Sequence, residues 1–156
     1  MPEELAQLLR RRIEEEYPLL SAIPESVAAD KPTAKWSRKE ETGHLIDSAA
    51  NNHLRFVRAA LEPEFRGPRY DQDRCVVLHG YQELPWPDLV ELWRRYNLLL
   101  AELIQRIPAD KLGTQCFVAE YPPVTLRLLI EDYVLHLQHH VDHILRRERI
   151  TQYPAA

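Results

Sequence analysis

The sequence predicts an all-α chain folded as a four-helix bundle, and three observations lead there. Apolar residues recur at three- and four-residue steps in four separate stretches. Helix-capping residues and prolines punctuate those stretches near their ends. No segment between them alternates apolar and polar residues between turn signals, as a strand would. Four amphipathic helices bury their stripes most simply against one another.

The first helix runs from about Pro2 to Leu20, with Leu5, Leu8, Leu9, Ile13, Tyr17 and Leu20 on one face. Pro24 and Pro32 lie in the connection after it. The second follows "WSRKE", where Ser37 can cap the free N–H groups and Glu40 can reach back to the Ser37 N–H. It runs to about Leu61 and stops at Pro63. The segment from Glu62 to Leu84 is long for a structureless loop, so a short helix is expected around "YDQDRCVVL", and the segment has room to act as a lid. It is also long enough to follow a ~20-residue helix of about 30 Å, which lets helices two and three run parallel. The third helix has Pro87 in its first turn, where a missing N–H costs nothing. It continues through Leu89, Val90, Trp93, Tyr96, Leu100, Leu103, Ile104 and Ile107, and Pro108 ends it. The fourth begins after Thr125, its N-cap, and extends to about Arg147.

At 156 residues the chain reads as one domain, 1–156, large enough to bury a core without staples. A net charge of −4 argues against nucleic acid as a partner, because phosphate contacts need a concentrated positive surface. The arginines at 10–12 and 146–149 sit beside glutamates and read as solvated helix faces. Cys75 and Cys116 form no C-x-x-C pair and are expected as free thiols. No run of 18 apolar residues and no apolar leader occurs, so no membrane span is expected, and the cytoplasm is the expected location.

Four of the seven histidines fall in "DYVLHLQHHVDHIL", residues 132–145. With 100° per residue, Leu126, Ile130, Tyr133, Leu137, Val141 and Ile144 define the apolar stripe of the fourth helix. His140 lies roughly 60° from its centre and His136 roughly 100°; His139 faces water and His143 is intermediate. His136 and His140 therefore stack at i, i+4, a spacing that lets two imidazoles converge on one ion. The intervening Leu137 excludes the H-E-x-x-H arrangement of a zinc protease. A third ligand must come from elsewhere, and His44, His53, His79 and Asp47 are the candidates. On the second helix the wheel puts His53 near the apolar centre. His44 falls on the opposite, polar stripe with Asp47, Ser48, Asn51 and Arg55. Periodicity leaves the third ligand open.

"KWSRKEETGHLIDSAANNHLRFVRA", followed about ninety residues on by "HLQHH", resembles the DinB/YfiT-like superfamily of metal-dependent enzymes. The shared features are a tryptophan before a capped helix, a G-H-L-x-D-S segment and a downstream H-x-x-H-H. The resemblance implies an up-down-down-up bundle whose metal site takes one histidine from helix two and two from helix four. Carried onto this sequence, the ligands are His44, His136 and His140, and the polar stripe of helix two lines a pocket. Asp47 and Asp132 are then candidates to orient the imidazoles, and Asn51 and Arg55 candidates to line the pocket, Arg55 for an anionic group.

A neutral three-histidine site leaves a divalent ion its full charge and open positions, so that bound water or a thiol ionises at neutral pH. Zn²⁺ is the expected metal, and Ni²⁺ or Fe²⁺ would also suit imidazole ligands. The expected function is metal-assisted hydrolysis of a small molecule, or thiol S-transfer with a low-molecular-weight thiol as co-substrate. The resemblance supports the second, because relatives include bacillithiol transferases and a mycothiol-dependent isomerase. A non-catalytic metal- or ligand-binding bundle in a stress response is the alternative. The resemblance, with Trp86, Trp93 and Tyr96 on helix three, also suggests a homodimer.

Overall fold

Ser37 opens the helix on which the site is assembled. In the computed structural model, which describes residues 1–154, its Oγ accepts the Glu40 N–H at 3.1 Å, and the Glu40 carboxylate accepts the Ser37 N–H at 2.9 Å. Two donors that a helix start leaves free are thereby satisfied. The elements in chain order are α1 (Pro2–Ser21), α2 (Glu25–Ala29), α3 (Arg38–Leu61), β1 (Phe65–Gly67), α4 (Gln72–His79), α5 (Trp86–Arg106), β2 (Gln115–Val118), β3 (Val124–Thr125) and α6 (Leu126–Ile144). Thr125 caps α6, its Oγ1 accepting the Leu128 N–H at 3.2 Å.

The four long helices α1, α3, α5 and α6 match the four amphipathic stretches. Each of α1 and α3 packs on both α5 and α6, closing a ring around one apolar core. Arg10 meets Glu102 and Tyr17 meets Glu91, so α1 and α5 run antiparallel. Arg38 Nε donates to the Ile144 carbonyl and His44 meets His136, so α3 and α6 do too. Leu9, Ile13, Phe56, Trp93, Leu100 and Ile130 are fully buried at the centre. Trp86 is buried with them, and its indole N–H donates to the Leu20 carbonyl at 3.0 Å. These tryptophans are core residues, which removes the sequence argument for placing them at a subunit interface. Among the described residues no helix is long and apolar enough to cross a membrane.

Two expectations need correction. The chain is mostly helical, not all-α, because β1, β2 and β3 form a small sheet in that order, β1 parallel and β3 antiparallel to β2. Strands of two to four residues are too short to display a period of two, and the pairing of Phe65 with Cys116 joins segments far apart in sequence. The fourth helix ends at Ile144 rather than near Arg147. Arg146 takes a left-handed φ of 55°, which turns the chain back toward the bundle. The short helix expected in the long connection is present as α4.

Candidate metal centre

The first turns of α3 carry Glu41 and His44 past the last turns of α6, which carry His136, His140 and His143. His44 Nε2 and His136 Nε2 stand 3.2 Å apart. One ring nitrogen from each of His44, His136 and His140 lies within 4.8 Å of the other two. Two nitrogens bound tetrahedrally to one ion at ~2.0–2.1 Å are about 3.3 Å apart, so the closest pair already has a ligand spacing.

Burial sets the charge of these rings. His44 is 1% exposed, and its pKa is lowered to about 3, by desolvation first and by the neighbouring His140 second. His136 is lowered to about 3 as well, by desolvation and then by the other histidines. Neutral imidazoles are the form that ligates a metal. His44 Nδ1 is buried with no partner, so only the Nε2 edge of that ring has anything to engage. The Trp36 ring lies against His44 with centroids 4.9 Å apart and walls the site on one side.

Glu41 holds the third ring. Its Oε1 sits 3.0 Å from His140 Nδ1 and 3.4 Å from His143 Nδ1. A carboxylate on Nδ1 turns the other nitrogen toward the cluster and fixes the tautomer. Sequence reasoning passed over Glu41, although its place one helical turn before His44 was a usable signal. The two aspartates proposed for this task lie elsewhere. Asp47 is buried, accepts the Tyr81 hydroxyl at 2.6 Å and pairs with His79 Nδ1 at 3.0 Å. Asp132 stands at the exposed rim and accepts the Tyr153 hydroxyl at 2.9 Å. Neither makes a hydrogen bond to the three histidines among the described residues.

The remaining candidates divide as well. His44, Asp47 and Ser48 are buried rather than solvated, because α2, α4, α5 and α6 all pack around the first half of α3. The first part of the wheel's polar stripe is thus interior, while Asn51 and Arg55 further along it are partly buried. His53 is partly buried, with Nδ1 2.9 Å from the Tyr96 hydroxyl, and takes no part in the cluster. Asn51 donates to the Asp47 carbonyl at 2.9 Å and does not line the cleft. His139 does not face bulk water. Its Nδ1 is 2.7 Å from the Thr151 carbonyl, a contact made by the returning C-terminal segment that a helical wheel cannot register.

His136 and His140 open into a cleft of about 880 Å³, lined also by Ser48, Asn52, Arg55, Tyr70, Asp132 and Tyr153. The Tyr153 ring covers His136 at a centroid distance of 5.2 Å. Such a cleft has the size of a small-molecule site. The three ring nitrogens, two of them opening into the cleft through His136 and His140, can hold one divalent ion with positions left open to it.

The sequence profile of the DinB superfamily matches residues 5–144. Among solved structures, YfiT from Bacillus subtilis is described as a probable metal-dependent hydrolase with an unusual four-helix bundle topology. It superposes with a TM-score of 0.82 at 18% identity, over 93% of this chain and 84% of its own. The mycothiol-dependent maleylpyruvate isomerase superposes with a TM-score of 0.66 at 14% identity, over 92% of this chain and 57% of its own. A histidine-to-alanine mutant of that isomerase gives 0.65 at 16% identity, over 90% of this chain and 59% of its own. This chain therefore spans under three fifths of the isomerase, and at these identities the likeness is one of fold. Comparison with curated protein sequences gives no match.

Proposed function

The chain belongs to the DinB superfamily, and from that premise we propose that it is a metal-dependent enzyme acting on a small molecule, with His44, His136 and His140 holding one divalent ion. The observation that carries this is the approach of two neutral Nε2 atoms to 3.2 Å, one on buried His44 and one on partly buried His136, which opens into the cleft. Nothing in a purely structural role calls for three imidazoles to face one another, two of them with their charge suppressed by desolvation. Zn²⁺ is the favoured ion, with Ni²⁺ or Fe²⁺ also compatible with imidazole. The antiparallel pairings of α1 with α5 and of α3 with α6, and the parallel run of α1 beside α6 from Glu4 and Arg127 to Glu16 and Gln138, support an up-down-down-up course.

A divalent ion on three neutral imidazoles would supply Lewis acidity, polarising a substrate oxygen or lowering the pKa of water or of a thiol. The chain's own residues prepare the place. Glu41 keeps the His140 tautomer, Trp36 shields His44, and Tyr153 covers His136 from the solvent side. The chain brings no thiol of its own. Cys116 is fully buried and its pKa is pushed up to about 11 by desolvation, and Cys75, on α4, is not among the residues lining the cleft. A thiol used here is therefore a low-molecular-weight co-substrate from solution, as mycothiol is for the mycothiol-dependent maleylpyruvate isomerase.

The test is metal analysis of the purified protein, with about one divalent ion per chain expected. Loss of that ion in His136→Ala/His140→Ala supports the ligand set, and Glu41→Gln should weaken it roughly 10–100-fold. Metal-loaded protein is then assayed with thiols plus electrophiles and with esters and amides. Protein that neither retains metal nor binds added Zn²⁺ or Ni²⁺ at micromolar concentration would refute the ligand set. Metal-loaded protein inert toward the whole panel would leave a non-catalytic metal-binding bundle in place of the enzyme.

A further inference from the structure

Arg55 is a half-buried cation in the cleft with no carboxylate paired to it among the described residues. Its guanidinium donates to the Pro68 carbonyl at 3.3 Å, and one neutral acceptor leaves most of its five N–H donors without a charged partner. Burial lowers its pKa, and the groups that oppose this are Tyr70 and Cys116. Both are uncharged at neutral pH, since burial pushes Tyr70 up to about 12 and Cys116 to about 11. Arg38, also partly buried, has its donors on two carbonyls, of Ile144 and Val27, whereas two other partly buried arginines have carboxylates. Arg147 meets both Glu16 and Asp142, and Arg94 meets Glu91. A partly desolvated charge without a counter-ion is unfavourable in the empty protein, and an anion entering the cleft removes that penalty.

Arg55 also stands where two hollows join. One is the cleft that holds His136 and His140. The other, of about 570 Å³, is walled by Val118, Val124, Leu128, Leu129 and Leu135 between the β2–β3 hairpin and α6. Both are bounded by Arg55, Leu129, Asp132 and Tyr153. The charge count favours a single negative charge. Arg69, the other cation of the cleft, is held by Glu120 at 3.2 Å, while Asp71 and Asp132 also line the walls. At the Arg55 end, away from an ion on the histidines, a dianion such as a phosphate monoester would meet Asp71 and Asp132 with only Arg55 free to offset them.

We infer that the ligand of this cleft is an amphiphilic monocarboxylate, its carboxylate forked onto the Arg55 guanidinium and its apolar body in the hollow beside the β2–β3 hairpin. This rests on the reading that the three-histidine cleft is where the chemistry happens, and it adds the substrate class. A planar guanidinium accepts a carboxylate through two parallel hydrogen bonds, and the apolar wall supplies affinity that grows with chain length.

Calorimetric titration with octanoate, octanamide and acetate tests it, on the full chain and on Arg55→Met and Arg55→Lys variants, with metal content recorded for each sample. Octanoate should bind wild type at least tenfold more tightly than octanamide, and more tightly than acetate. Arg55→Met should weaken octanoate about ten- to hundredfold while leaving octanamide within about twofold, and Arg55→Lys should recover only part of the loss. Equal binding of octanoate and octanamide to wild type, or octanoate binding unchanged in Arg55→Met, overturns the anion site. Acetate as tight as octanoate overturns the apolar half. Should Arg55→Met fail to fold, the wild-type comparison decides. A carboxylate preference in protein that takes up no metal would remove the metal reading and keep the subsite; metal uptake without that preference would do the reverse.

Discussion

His44 is buried and His136 partly buried against it, and the desolvation that lowers the pKa of both makes their protonation a stability term that can be measured. In the unfolded chain each imidazole takes a proton near 6.5, whereas in the folded chain uptake is deferred to about 3. Above pH 6.5 neither state binds these protons, so they contribute no pH dependence. Between 6.5 and about 3 the unfolded chain binds two protons that the folded chain refuses, so stability falls as the pH falls. Urea unfolding of chelator-treated protein should therefore lose more than about 1 kcal/mol per pH unit near pH 5. His136→Asn should flatten the slope; a flat profile from pH 7 to 4.5 in the wild type would contradict the desolvated neutral pair. At this scale the sequence was legible where spacing carried the information. His136 and His140 announce themselves at i, i+4 on one helix, while His44 does not. A wheel assumes that one face of a helix is solvated, and the first half of α3 is enclosed on all sides.

That enclosure is a property of the element, and Gly43 shows how tight it is. A Cβ built there would lie 2.0 Å from Cδ2 of Tyr81. The Tyr81 ring cannot easily withdraw, since it is 5% exposed and its hydroxyl is anchored on Asp47 at 2.6 Å. Gly43 is thus required by the close approach of a buried ring to the α3 backbone, one residue before a proposed metal ligand. Gly43→Ala should cost about 1–3 kcal/mol of stability. Because the two positions share one space, Gly43→Ala/Tyr81→Ala should lose less than the sum of the single variants, read from denaturant midpoints at fixed slope. Additive losses would mean that the ring moves aside freely. Elements with local signals were readable in advance, as the Ser37–Glu40 box and the Thr125 cap show. The small sheet was not, because its strands are too short for periodicity and their pairing is decided by packing at a distance.

Over the whole molecule, a buried polar cluster at the base of α6 fastens the chain's return path across the site. Asp142 is 3% exposed and accepts from Gln138, Arg147 and both the N–H and the hydroxyl of Thr151. Arg147 also reaches Glu16 on α1, so one guanidinium answers two buried carboxylates. The segment held in this way carries Tyr153, whose ring lies on His136 and whose hydroxyl donates to Asp132. Sequence patterning took the arginines at 146–149 for a solvated face, because nothing in a helical period reports a chain that turns back on itself. The cluster couples bundle stability to closure of the cleft, and two substitutions should separate these roles. Asp142→Ala leaves Arg147 with half its partners and frees Thr151, so it should cost about 3 kcal/mol or more of global stability. Thr151→Val removes only the hydroxyl donor and should change global stability by less than about 1 kcal/mol. In hydrogen exchange, Asp142→Ala should deprotect the residue-151 amide and the last turn of α6, while Thr151→Val, which keeps the N–H bond to Asp142, should deprotect that amide less and leave the last turn of α6 unchanged. If Asp142→Ala left that amide fully protected, the return segment would be held by contacts other than Asp142, and its closure over His136 would not depend on the buried cluster.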